Sequence, residues 1–168
     1  MPTSVPRWSD APPDVDTTGR DYALLAVGDP AVPIVERWGQ VLRQQDRTVT
    51  IHRAVPGDES AVRWAQRHAR SARVGWRFAV AGPEDDVMRA CAAVRAAGAI
   101  EAEITAHATA GDQRRVLCTH CRTVTTTAAA VGGTTACPGC RRTLLVHHHF
   151  SRRHAAYMGF MADAEDLP

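Results

Sequence analysis

Large aromatic side chains are scarce in this chain of 168 residues, which has three Phe and two Tyr. Its 45% apolar content leans on Ala and Val instead. A core built this way is thin, and it needs close packing or a staple. Long apolar runs are also missing. None approaches the roughly 20 residues a membrane-spanning helix requires. Charge of one sign is in short supply too: the formal charge is +2 with a pI near 8.4, too mild to argue for a nucleic-acid partner. Arginines mix with Asp and Glu along the chain, as on an ordinary solvated surface. The opening "MPTSVPRWSDAPPDVDTTGR" carries prolines and acids where a secretory signal needs a basic start and an apolar run. A cytoplasmic location is the expectation. Thiols stay reduced there, so paired Cys-x-x-Cys motifs favour metal over disulfide.

Residues 1–20 read as a flexible tail, with Trp8 its one candidate anchor. From residue 21 the chain alternates. "YALLAVGD" is a short apolar run ending in Gly28, the pattern of a strand buried on both faces. "AVPIVERWGQVLRQQ" places Ile34, Trp38, Val41 and Leu42 at helical spacing. "RTVTIHRAV" alternates with β-branched residues and reads as a second strand. A Pro-Gly-Asp turn then opens a second helix. "VGWRFAVAGP" is a third strand, and "PEDDVMRACAAVRAAG" is a helix with acids at its N-terminus and Gly98 past its end. Glu84, Asp85 and Asp86 are explained there by the helix dipole. "AIEAEITAHAT" is a fourth strand. Such alternation predicts a Rossmann-like parallel sheet flanked by helices over residues 21–111. Cys91 falls on the apolar stripe of the third helix with Val87 and Val94 and reads as a buried structural thiol.

A small module follows over residues 112–168. Cys118/Cys121 and Cys137/Cys140 form two Cys-x-x-Cys pairs separated by fifteen residues, "RTVTTTAAAVGGTTA". The pattern is that of a tetrahedral four-thiolate site in a zinc ribbon. The connector is expected to form a hairpin turning at Gly132-Gly133. Zinc and iron both accept four thiolates. "CPGC" suits a rubredoxin-like iron knuckle as well as a zinc ribbon, but Arg122 and Arg141 stand where rubredoxin knuckles place glycine. Zn2+ in a structural role is the expectation, with rubredoxin-like Fe as the alternative. The spacing of a plant-type [2Fe–2S] site is absent. His120 lies inside the first knuckle, but four cysteines already close the shell. His147, His148 and His149 lie in "LLVHHHF", where strand alternation sends His147 and His149 to one face. They read as a polar edge, since no carboxylate partner is spaced to match. Ser151, Arg152, Arg153, Tyr157 and Phe160 make the following stretch aromatic and basic, suited to a partner contact.

Two resemblances add to this reading. Residues 21–109 resemble the NAD-binding domain of ferredoxin-reductase-type flavoproteins: "LLAVGDPAVPI" stands at their glycine-rich turn and "VAGP" at their "CGP" turn. The resemblance places vestigial nucleotide turns at Gly28, Gly82 and Pro83. A diphosphate needs glycines and free N–H groups at the helix start, yet Asp29 brings negative charge and Pro30 removes a donor. Ala81 replaces the cysteine. No tight NAD(P)H binding is expected. The whole arrangement, ending in two CxxC knuckles and "LLVHHHFSRRHAAYMGF", resembles the DmmA-type small subunit of dimethylamine monooxygenase. That resemblance implies an accessory subunit of a multicomponent, NADPH-dependent amine monooxygenase. A haem oxygenase and a flavin/iron–sulfur reductase are its implied partners. No residues form a convincing catalytic constellation. A rubredoxin-like electron-transfer subunit and a nucleic-acid-binding zinc ribbon are the alternatives, the second hinted at only by Arg141, Arg142, Arg152 and Arg153.

Overall fold

A computed structural model describes residues 5–111 and 113–163. The chain divides into one unit of Trp8–Gly111 and a second carried by the chain beyond it. No helix among the described residues is long and apolar enough to cross a membrane.

The first unit alternates as expected: β1 (Asp21–Val27), α1 (Val32–Arg43), β2 (Thr48–Ala54), α2 (Glu59–Arg70), β3 (Trp76–Pro83), α3 (Glu84–Ala96) and β4 (Ile104–Ala110). The strands pair in parallel in the order β2-β1-β3-β4. Every second side chain of a strand points to the same face, and β1 uses both faces for burial. Ala23, Leu25 and Val27 join Phe78 and Val80 under α2 and α3. Tyr22, Leu24 and Ala26 join Ala79 and Ala81 under α1, where Val35, Trp38 and Leu42 close the layer. In α2 the inward positions are Ala61, Ala65 and Ala69. Small side chains at that spacing let the helix lie close to the sheet, which is how a core poor in aromatics reaches native density. Cys91 is buried in this layer, and burial pushes its thiol up to about 12.

Residues 8–20, expected as a tail, lie on this unit. The Trp38 indole N–H donates to the Pro13 carbonyl at 3.0 Å, and Val15 is buried among the α1-side residues. Trp8 packs against the opposite layer. Arg77 Nε donates to Asp16 Oδ2 at 2.7 Å. Burial raises the Asp16 carboxyl, but hydrogen bonds from Thr18 and Arg77 outweigh it and hold the group below its ordinary value. Pro-rich composition signals the lack of regular secondary structure, not the lack of tertiary contacts.

The second unit is a five-stranded sheet: β5 (Arg114–Cys118), β6 (Val124–Thr127), β7 (Thr134–Ala136), β8 (Thr143–Ser151) and β9 (Ala156–Met161), ordered β6-β5-β9-β8-β7. β5 and β9 run parallel and the other pairs antiparallel. Val116, Leu117, Leu144, Val146 and Phe150 are buried in it, with Phe150 edge-on to Tyr157 at 5.0 Å. The expected hairpin within the fifteen-residue connector does not form. β6 pairs with β5 and β7 with β8, so the connector carries the chain from one edge of the sheet to the other. The pairing across each knuckle is local and shuts out pairing across Gly132-Gly133.

The histidines also depart from simple alternation. The register of β8 against β9 slips between Val146 and Phe150, and His147, His148 and His149 fill that bulge. A bulge breaks the two-residue period. His147 therefore packs ring to ring with His148 at 3.9 Å and edge-on to Phe160 at 4.9 Å. Alternation places His147 and His149 on one face; the ring contact within the bulge joins His147 to its chain neighbour His148.

Candidate metal centre

The two knuckles have the same backbone. Cys118 N–H donates to Thr123 O at 2.9 Å and Arg122 N–H to Cys118 O at 3.0 Å. In the second knuckle Cys137 N–H donates to Arg142 O at 2.9 Å and Arg141 N–H to Cys137 O at 2.8 Å. Each turn thus closes on itself after its second cysteine. The residue at the closing corner takes a left-handed conformation: Arg122 has φ 64° and Arg141 φ 62°. Glycine fits that region freely, whereas an L-residue there costs roughly 1–2 kcal/mol. The sequence already marked these corners, because arginine stands where related knuckles place glycine.

The four sulfurs of Cys118, Cys121, Cys137 and Cys140 lie within 4.8 Å of one another. Cys118 Sγ is 3.8 Å from Cys140 Sγ, and Cys121 Sγ is 3.5 Å from Cys137 Sγ. Disulfide sulfurs stand at about 2.0 Å, so these thiols are not cross-linked. A tetrahedron with metal–sulfur bonds of about 2.3 Å has edges of about 3.8 Å, which the two separations approach. Cys118 and Cys137 are buried, and Cys121 and Cys140 are partly exposed. The quartet can hold a metal ion of the tetrahedral thiolate class.

Its protonation supports the same chemistry. Hydrogen bonding to Thr123, whose hydroxyl lies 3.3 Å from Cys121 Sγ, brings the Cys121 thiol down to about 6. At Cys140 a backbone hydrogen bond from Arg142 acts downward, but burial and the neighbouring thiols of Cys137, Cys121 and Cys118 outweigh it and push the group up to about 11. Four thiolates side by side would repel one another. A divalent cation removes that repulsion and lets all four ionise. Gly139 completes the packing of the second knuckle: a Cβ there would collide with the Thr123 hydroxyl and fall 3.1 Å from Cys121 Sγ.

Other residues singled out in the sequence lie elsewhere. His120 is exposed and outside the quartet. The histidine pair on the β8 bulge joins no cysteine or carboxylate in a metal-capable group among the described residues. Gly28, Gly82 and Pro83 sit at the C-terminal ends of β1 and β3, where the order of a parallel sheet reverses and nucleotides bind in open α/β folds. The backbone there is occupied by the protein itself. Gly28 N–H donates to Ala54 O at 2.8 Å and Ala31 N–H to Gly28 O at 3.1 Å, and Pro30 has no N–H. The Pro56 ring covers Gly28, 3.3 Å from where a Cβ would be. Gly57 N–H is held by both oxygens of Asp86 at 3.1 Å, and Arg89 ties Asp86 to Glu59. A Cβ on Gly82 would fall 2.7 Å from Val27 Cβ, so that glycine serves strand contact. An open cleft of about 530 Å³ remains beside Gly28 and Asp29, reaching Arg53 and Val55. It presents an acid where a phosphate would need donors. Asp86 escaped the sequence reading because its partner, Gly57, is distant in the chain.

Residues 115–160 match the family model for the dimethylamine monooxygenase subunit DmmA-like, C-terminal domain. The match takes in both knuckles, the histidine bulge and most of β9. No curated protein and no solved structure matched the chain.

Proposed function

We propose, from a chain that carries a DmmA-like C-terminal domain, that this protein is an accessory subunit of a multicomponent amine monooxygenase of the dimethylamine monooxygenase type. It links a haem oxygenase component to a flavin/iron–sulfur reductase component that draws on NADPH. The observation that carries the reading is the four-sulfur quartet on two equivalent knuckles within the matched segment. Zinc is the ion proposed for it, in a structural role. Cys118, Cys121, Cys137 and Cys140 would hold it, and its charge would join the two hairpins of a small sheet with few large apolar residues. The α/β unit supports an accessory role because the donors that a diphosphate requires are bonded within the protein. The Pro56 ring sits over Gly28 beside the remaining cleft, and Asp86 holds the next residue of that turn. A cytoplasmic location accords with four reduced thiols in one cluster.

Reconstitution tests the role. This chain, mixed with the haem oxygenase and reductase components of a dimethylamine monooxygenase, is expected to give a defined complex whose amine-dependent NADPH oxidation falls when it is left out. Oxidation that proceeds unchanged without it would remove the accessory role. Metal analysis with a visible spectrum tests the ion: one colourless zinc per chain is expected. One iron with thiolate charge-transfer bands that bleach on reduction would turn the same quartet into an electron carrier.

A further inference from the structure

Charge is divided unevenly along the chain. Residues 8–111 carry twelve Arg and fourteen acidic residues, whereas residues 112–168 carry seven Arg and four acids, Asp112, Asp163, Glu165 and Asp166. Lysine is absent throughout, so every fixed cation is a guanidinium. Arg122, Arg141 and Arg142 stand on the two knuckles whose sulfurs the quartet brings together. All three are exposed, and none has a side-chain hydrogen bond or ion pair among the described residues. Two of the three hold the left-handed corner position, Arg122 at φ 64° and Arg141 at φ 62°. Glycine would relieve the backbone at both corners, so backbone geometry does not select arginine there. The same exception at two equivalent positions points to a use for the side chains outside the fold.

We infer that Arg122, Arg141 and Arg142 form a docking face for a carboxylate-rich surface of a partner protein. A guanidinium pairs with carboxylate through two parallel hydrogen bonds, which fixes orientation as well as charge. Charge contacts of this kind speed encounter and set register, which suits a subunit that links larger components. Three cations on two turns are too few to follow a phosphodiester backbone along an extended track. The inference rests on the accessory-subunit reading for the existence of a protein partner and adds the chemistry of the contact.

The test uses the full, zinc-loaded chain and the R122G/R141G double variant, which removes two charges while leaving each corner with the residue its backbone favours. Labelled poly-glutamate of about 20 residues and poly-dT of about 20 nucleotides serve as probes, at low salt and at about 200 mM salt. Poly-glutamate is expected to bind the wild type, about tenfold more weakly in high salt and about tenfold more weakly to R122G/R141G. Zinc content and melting temperature of the variant should be equal or higher. A paired control, R152S/R153S, alters arginines of the β8–β9 turn and should bind nearly as the wild type does. Equal binding by R122G/R141G overturns the proposal, as does a tenfold preference for poly-dT. Loss of zinc from R122G/R141G also overturns it, by assigning the arginines to the metal site. The same variant in the reconstituted complex separates the two readings. If it assembles as the wild type does, the docking face fails and the accessory role stands. If even the wild type fails to assemble, the accessory role fails and the poly-glutamate comparison alone decides the patch.

Discussion

Asp86 grips the Gly57 backbone N–H with both carboxylate oxygens, each at 3.1 Å, across twenty-nine residues of sequence. The contact fastens the β2–α2 turn to the first turn of α3, above the ends of β1 and β3. Asp86 is 6% exposed, and removing its carboxylate takes away two charge-assisted hydrogen bonds to Gly57 and a partner of Arg89. D86A is expected to cost about 1–3 kcal/mol in urea unfolding, and hydrogen exchange at Gly57 should quicken beyond that seen at β1 amides. Unchanged exchange at Gly57 would show the turn is held by Pro56 packing alone.

The sulfur quartet staples a sheet with a small core. Stripping metal with a chelator at neutral pH is expected to unfold residues 114–161 while the α/β unit keeps its helical circular dichroism. Serine at any one of Cys118, Cys121, Cys137 or Cys140 should do the same at ordinary metal levels. C91S, on the α3 stripe, should leave metal content untouched. A single cooperative loss of both units on chelation would contradict the division at Gly111.

Segment 8–20 is fastened by few contacts, so each is measurable. W38F removes the N–H that Pro13 O accepts at 3.0 Å together with part of a fully buried ring. It should cost about 2–4 kcal/mol in thermal or urea unfolding. Proteolysis between residues 8 and 20 should accelerate in parallel. A silent W38F with unchanged proteolysis would mean that Asp16–Arg77 and Val15 suffice.

His107 on β4 is 5% exposed, and burial holds its imidazole below the ordinary value of 6.5. His68 on α2 is lowered as well, first by burial and then by Arg67 and His52. For such groups the unfolded chain binds protons first, so stability is complete above the unfolded value and declines as pH falls below about 6.5 toward the folded values. Urea midpoints of the α/β unit should therefore drop between pH 7 and pH 5, and H107N should flatten part of the slope. A midpoint that rises on acidification would refute the assignment.

The parts of this fold legible beforehand are those written in short windows. β1 showed itself as an apolar run because both of its faces are buried, and α2 was bounded by the Pro56-Gly57-Asp58 turn, where Asp58 accepts the Ser60 N–H at 2.7 Å. The knuckles were legible because two ligands on one tight turn fix their own spacing. What stayed hidden depends on partners far away in sequence. The Asp86–Gly57 contact looked like helix-dipole complement, since three acids at a helix start satisfy that rule without any partner. The bulge that holds the histidine trio was hidden because alternation assumes an unbroken register, and the slip between Val146 and Phe150 is set by how β8 meets β9. The Pro13–Trp38 contact lacked any periodic signal.

The placement of β9 bears on how the protein is made. In the order β6-β5-β9-β8-β7 the strand of this sheet synthesised after the other four lies in its middle and supplies the parallel neighbour of β5. Both knuckles can close as soon as Arg142 has emerged, but the two hairpins have no strand to join them until Ala156–Met161 arrives. Capture of metal by the nascent chain would keep the early hairpins together during that wait. A polypeptide interrupted before β9 would expose the edges of β5 and β8 to other chains, so an ion held by the quartet would raise yield during synthesis as well as stability afterwards.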